Sequence, residues 1–227
     1  MRSFIKRNNQ GGLMRLAMAI FFAIAALMPQ RAGAAKVAAD TLSIRDVFVS
    51  LQSEPVEILK KTTRLDMLDY WDADSVYKAV NAMDGLSWIE ACTPEYMKVQ
   101  LTPVSTLELR MLHRKKGSTV VASVYTVGSS TQAEDSEVRF YDDKLNELDS
   151  KEFFKTPELK DFFDIPKGAE ITMKEIKDMI PFPTVAYSIS PDEDFLTARL
   201  TVGKYMDVDN YKTISRYLRP EIRVKLK

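Results

Sequence analysis

Along this chain the apolar positions alternate between a helical period and a period of two. Ile44, Val47, Phe48 and Leu51, then Leu65 and Leu68, recur at helical spacing. Ser43 and Thr63 are each followed three residues later by an acid, Asp46 and Asp66, which approximates a capping box. Pro55 suits the first turn of a short helix through Leu59. Two or three short helices are predicted over 43–74. From about Leu86 the period becomes two. Met97, Val99 and Leu101 alternate with polar neighbours, as do Leu107, Leu109 and Met111. In residues 119–127, Val120, Ala122 and Val124 face one way and Val121, Ser123 and Tyr125 the other, and Val138 and Phe140 repeat the pattern. Turn residues separate these runs at Thr102-Pro103, Lys116-Gly117-Ser118 and Gly128-Ser129-Ser130. Short turns imply an antiparallel meander, because parallel pairs need long crossovers.

Two helices interrupt the strands. Thr156-Pro157 reads as an N-cap followed by proline at the first helical position, leading into Leu159, Phe162 and Phe163. A second starts at Thr172, where Glu175 completes a capping box, Ile171 and Ile176 occupy the staple positions, and Pro181 ends the helix. Residues 185–202 read as a hairpin turning at Pro191–Asp194. A last helix runs from about Asp207 to Leu218, and Ile222, Val224 and Leu226 form a terminal strand. The predicted fold class is α+β: a mainly antiparallel sheet of meander and hairpins, with short helices at the N-terminus and between the sheet segments. One domain is expected over 35–227, helical at 43–74, β-rich at 86–148 and mixed at 156–227.

The first 34 residues read differently. Arg2, Lys6, Arg7 and Arg15 precede a 13-residue apolar run, Leu16 to Met28, which ends at Pro29 and is followed by Ala32-Gly33-Ala34. This is the order of a cleavable secretory signal. The run is well short of the roughly 20 apolar residues that cross a bilayer, so no transmembrane segment is expected after cleavage. Met14 precedes Arg15 and the same run, so a start there would still carry a complete signal. Residues 35–41 read as a short polar lead-in. The expected location is the periplasm or cell surface of a Gram-negative bacterium.

Charge and cysteine narrow the function classes. The chain holds 32 basic and 32 acidic residues, and removal of the signal's five bases leaves a formal charge of −5. Without a basic stripe and interleaved aromatics, nucleic acid is not an expected partner. Cys92 is the single cysteine, so the exported chain has no intramolecular disulfide. It must fold on packing alone, and a chain of this size buries about 70% of its unfolded surface.

Candidate chemistry is sparse. His113, the one histidine, lies at a strand end beside Arg114 and Lys115, which leaves no second histidine for a triad or a histidine-rich metal site. A Cys92–His113 pair would have to meet in space; a buried structural thiol is the simpler reading. Asp66, Asp69, Asp72 and Asp74 form the densest acidic run. On one helix the first three step about 60° apart, which spreads them rather than converging them, so a solvated helix face is expected. Asp72 and Asp74, at the helix end, are the candidates for a hard cation such as calcium. Asp142-Asp143 and Asp192-Glu193-Asp194 fall in turns, where aspartate suits the backbone. The glycines form no dinucleotide, P-loop or nucleophile-elbow motif, and no cofactor is expected. Tyr70, Trp71, Tyr77 and Trp88 are placed either in the core or along a carbohydrate or peptide groove.

RLDMLDYWDA (64–73), EYMKVQLTPVSTLELRML (95–112), VRFYDDKLNEL (138–148), AYSISPDEDFLTARLTV (186–202) and YLRPEIRVKL (217–226) together resemble, in this order, an uncharacterised secreted family of gut and oral Bacteroidales, known only as a domain of unknown function. The resemblance spans nearly the whole mature chain, implies export into a Gram-negative envelope, and brings no catalytic residues. A non-catalytic binding or assembly module acting on an envelope protein or glycan is the favoured expectation. The alternative is a carboxylate-dependent periplasmic hydrolase using Asp72 and Asp74 or the loop acids.

Overall fold

The period-two runs pair in chain order. In the computed structural model, which describes residues 42–75, 77–114 and 118–227, β1 (Ala79–Val80), β2 (Leu86–Cys92), β3 (Tyr96–Thr102), β4 (Ser105–His113), β5 (Thr119–Val127), β6 (Asp135–Tyr141) and β7 (Glu147–Leu148) form one antiparallel sheet in that order. A second antiparallel sheet contains β8 (Val185–Ile189), β9 (Phe195–Leu200) and β10 (Ile222–Lys225), with β9 in the middle. The helices are α1 (Ile44–Ser50), α2 (Lys61–Asp72), α3 (Met173–Met179) and α4 (Val208–Ser215). The protein is therefore α+β and mostly antiparallel, and the described residues from Leu42 onward cluster as one compact unit. The expected signal, the lead-in to Thr41, and Lys116-Gly117 lie outside the described residues.

Both faces of the large sheet are buried. Met97, Val99, Leu107, Leu109, Met111 and Val121 share a core with Phe48 of α1 and Met67 of α2. The alternate residues Val120, Ala122, Val124 and Phe140 join Ile176, Ile189, Leu196 and Ile214 in a second core beneath the small sheet. The described residues thus form three layers: α1 and α2, the large sheet, then the small sheet with α3 and α4.

Polar groups cross the sheet–sheet layer in a definite pattern. β8 is an edge strand, so its amides at 185, 187 and 189 point away from β9 and need acceptors. Asp135 Oδ1 accepts from Val185 N–H (3.1 Å), Ser136 Oγ from Tyr187 N–H (2.9 Å) and Glu108 Oε2 from Ile189 N–H (2.7 Å). Arg110, 5% exposed, holds the β8–β9 turn: Nη1 donates to the carbonyls of Ser190 and Glu193, and Nη2 lies 3.3 Å from Asp194. A buried ion left without partners costs about 3–5 kcal/mol; here the turn carbonyls fill that need.

Two predicted helix caps are present. Ser43 Oγ accepts from Asp46 N–H and the Asp46 carboxylate accepts from Ser43 N–H. Thr172 and Glu175 do the same for α3, with Ile171 and Ile176 both buried beside them.

Three local expectations are corrected. Pro55–Leu59 forms consecutive turns rather than a helix, closed by Val56 and Glu57 N–H on Ser53 O and by Leu59 N–H on Val56 O, with Val56 and Leu59 buried. Thr63 is inside α2, which begins two residues earlier. That register turns Arg64 inward, where its Nη1 donates to Phe48 O (2.7 Å) and Leu51 O (2.9 Å) and caps the open carbonyls of α1. Leu65, expected inside, is 45% exposed as a result. After Thr156-Pro157 there is only a 3-10 turn, Leu159–Phe162, started by Glu158, whose N–H donates to Asp161 Oδ2 at 2.8 Å. It ends where Asp164 N–H donates to Tyr217 O and Phe163 bridges Leu218.

Replacing Thr172 with Ala removes a made cap and should lower stability by about 1 kcal/mol, read as a shift of the urea midpoint; an unmoved midpoint would contradict it. Glu108 supplies a pH test. Burial is the main cause pushing its carboxyl above the ordinary value, against the opposing Ile189 N–H. The folded state thus holds the proton more tightly than the unfolded one. That stabilisation is full below the unfolded pKa and is lost as pH rises through the folded pKa. Glu108→Gln, which stays neutral, should flatten the decline in a urea-midpoint profile from about pH 4 to 8; parallel profiles would show that the carboxyl titrates alike in the folded and unfolded states and would contradict it.

Candidate functional site

The site is built where α2 ends. Ser75 N–H donates to Tyr70 O and Asp74 N–H to Trp71 O, both at 3.0 Å. These are the two bonds of a Schellman cap, with Asp74 at the left-handed position, φ 52°. Glycine or asparagine is usual there, since a side chain in that conformation costs roughly 1–2 kcal/mol. The cap turns the chain back along α2, and Tyr77 stacks on Tyr70 with centroids 4.4 Å apart.

Opposite this turn stands β2. Short β1 pairs with Leu86 and Ser87, so among the described residues the β2 edge from Trp88 onward carries no neighbouring strand on that side. Its ladder to β3 shifts register between Ile89 and Ala91, making Glu90 a bulged residue. A bulge leaves its residue out of the ladder and re-aims its side chain. Glu90 lies 3.0 Å from Lys98, and the Lys78 ammonium sits 5.1 Å from the Trp88 ring centroid.

Between the two elements lies a cleft of about 550 Å³, lined by Trp71, Asp74, Ser75, Trp88, Ile89 and Glu90. Both tryptophans of the chain are here, each half-buried. Trp71 also packs against the helix-side core, which fixes one wall. The arrangement combines indole rings with the Asp74 carboxylate and the Ser75 hydroxyl, while the Glu90 carboxylate is taken up by Lys98, a combination of shape and hydrogen-bonding groups suited to a small polar ligand with an apolar face.

The acidic run does not act as a unit. Asp72 turns away from the cleft and forms a two-pronged pair with Arg45 of α1, with Nη1 to Oδ2 at 2.7 Å. The hydrogen bonds from Arg45 hold its carboxyl below the ordinary value. Asp74 alone of the four lines the cleft. Among the described residues, no three side chains of His, Cys, Asp or Glu stand close enough to share a metal ion.

Cys92 and His113 are engaged separately. Cys92 is half-buried near Arg45 and Thr93, in a shallow hollow of about 340 Å³ with Ser43 and Pro94. Burial raises its thiol pKa, opposed by the Arg45 charge. His113 Nε2 lies 3.0 Å from Glu95 at the exposed end of β4. The loop acids serve their turns: Asp142 Oδ1 accepts from Lys144 and Asn146 N–H, each at 2.8 Å, and Asp194 pairs with Arg110. The most buried acid, Glu108, borders a polar gap of about 270 Å³ between the sheets and is occupied by Ile189 N–H.

Sequence reasoning named Trp71, Trp88 and Asp74 but not Ser75 or Glu90. The signal for Glu90 was available: in LSWIEAC the alternation breaks at Ile89-Glu90-Ala91. Nothing local distinguishes Ser75.

Comparison with known proteins places this geometry in context. No curated protein matches the chain. Among solved structures, it is similar to a domain of an uncharacterised protein from Porphyromonas gingivalis W83, with a TM-score of 0.66 at 20% identity over 80% of this chain and 92% of that one. That likeness shows a shared fold. The model of the family described as "Protein of unknown function (DUF3256)" matches residues 35–226, nearly all of the chain outside the N-terminal 34 residues, and the chain belongs to that family.

Proposed function

We propose that the protein is an exported, non-catalytic glycan-binding module of the bacterial envelope, and that its site is the Trp71–Trp88 cleft. The carrying observation is that two separate backbone irregularities open on one cleft. The left-handed Asp74 and the bulged Glu90 both stand in the wall of the cleft that holds the chain's two tryptophans, with the Glu90 carboxylate held by Lys98. Strained conformations persist where a function selects them. A pyranose has an apolar C–H face that packs on an indole ring and a rim of hydroxyls that donate to carboxylates. Lys98 beside Glu90 and Lys78 beside Trp88 offset the two carboxylates, so no net charge favours an ionic sugar and the fitting ligand is a neutral one. The signal-like residues 1–34 support export. The hydrolase alternative draws less support, because Asp72 is committed to Arg45 and does not line the cleft.

Because both tryptophans line the cleft, intrinsic fluorescence reports on it directly. Titration with neutral gluco-, manno- and N-acetylhexosamine oligosaccharides should produce a saturable emission change for at least one of them. Trp71→Phe and Trp88→Phe each keep one reporter, and Trp88→Ala should weaken binding about tenfold, or 1.4 kcal/mol. A flat emission across the whole panel would refute the proposal.

Asp74→Gly separates function from folding. Glycine relieves left-handed strain of roughly 1–2 kcal/mol, which outweighs the roughly 0.5–1 kcal/mol of chain entropy it adds, so the variant should be more stable yet bind the same saccharide more weakly. A variant that is more stable and binds equally well would remove Asp74 from the site.

A further inference from the structure

On the opposite sheet, the outer edge of β10 is tied down at two points and open between them. Lys227 N–H donates to Phe153 O (2.7 Å) at one end. At the other, Arg219 N–H donates to Phe162 O (2.8 Å), next to the Phe163–Leu218 bridge. Between these ties the 154–161 segment bows away, and Pro157 in it has no amide to offer. A groove of about 610 Å³ remains.

The strand parity shows what the groove exposes. Leu226 N–H points inward, donating to Asp194 O, and Lys227 N–H points outward to Phe153. By the alternation of an antiparallel ladder, the amides and carbonyls of Arg223 and Lys225 also point outward, into the groove. Ordinary edge strands are blunted by cover or by bulges; β8 in the same sheet has its outward amides taken by Asp135, Ser136 and Glu108. The corresponding groups of Arg223 and Lys225 face open space.

The groove is also strongly basic. Lys155, Arg219, Arg223, Lys225 and Lys227 line it against a single acid, Asp161, whose Oδ2 already accepts from Glu158 N–H. The whole chain balances 32 bases with 32 acids, so this is a local concentration. Arg223 is held in place over the Phe195 ring, 3.9 Å from its centroid, with Glu193 at 3.7 Å.

From these features we infer that the β10 window docks one extended, acidic peptide segment of a partner protein by strand addition. The backbone of Arg223 and Lys225 supplies the ladder, and the surrounding bases select glutamate- or aspartate-rich sequence. This site is independent of the tryptophan cleft.

The test uses the full chain and a fluorescein-labelled peptide of about six residues, a usual strand length, alternating glutamate and threonine. Anisotropy should show saturable binding. The lysine–threonine counterpart should not bind, and methylating alternate backbone amides, in either register, should weaken binding about tenfold in one of them. Lys225→Glu and Lys155→Glu should each weaken it as well, with unchanged thermal melts. If a variant fails to fold, the wild-type protein with the normal and methylated peptides still decides. No saturable binding would overturn the inference. So would equal binding of both methylated forms, which would mean attraction by charge alone, or binding of dextran sulfate without the peptide, which would mean a polyanionic saccharide.

Discussion

Two ionisable side chains on the same face of β4, Glu108 and Arg110, set the condition that the rest of this fold satisfies. Both are buried between the sheets, and neither is tolerable there without partners. Glu108 takes the Ile189 amide, and Arg110 takes the carbonyls of Ser190 and Glu193. Those partners are the end of β8 and the turn after it, so the demand of two side chains fixes where the small sheet lies. Asp135 and Ser136 then meet the remaining outward amides of β8. An edge that would otherwise recruit another strand becomes an internal joint.

The helical face uses the same device once. Arg64 is drawn inward by the open carbonyls at the end of α1. Its burial fixes the rotation of α2, and Arg45–Asp72 ties the far end of α2 back to α1. With both ends held, Trp71 stands beside the β2 edge, and the Schellman turn presents Asp74 to it. The cleft thus follows from how α2 is anchored, while its chemistry comes from the two backbone irregularities that flank it.

The two proposed sites share a physical origin. Antiparallel sheets have two edges each, and this protein closes some and leaves others open. Beyond short β1, the β2 edge is left as one wall of an aromatic cleft; along β10, a proline-containing segment bows outward and leaves two residues of edge in a basic groove. What an edge presents depends on few side chains and on single-residue shifts of register.

Sequence by itself determined the elements with strong local signals. The meander order, the 185–200 hairpin, the caps at Ser43 and Thr172, the helix beginning at Asp207 and the last strand all follow from period and turn chemistry, which act over a few residues. Even Trp71, Trp88 and Asp74 could be named as candidates. Tertiary structure decided what each meant. A period of two shows that strand residues alternate in direction, but not that both directions meet a core, so the split into two sheets with a layer on each face was not legible. Leu65 and Arg64 exchanged their expected places because a neighbouring helix offered unpaired carbonyls, a partner 13 to 16 residues away. Asp72 and Asp74, two residues apart, separated into an ion pair and a cleft wall because the helix ended between them. Such outcomes depend on which distant groups need a partner, and spacing along the chain carries no record of that need.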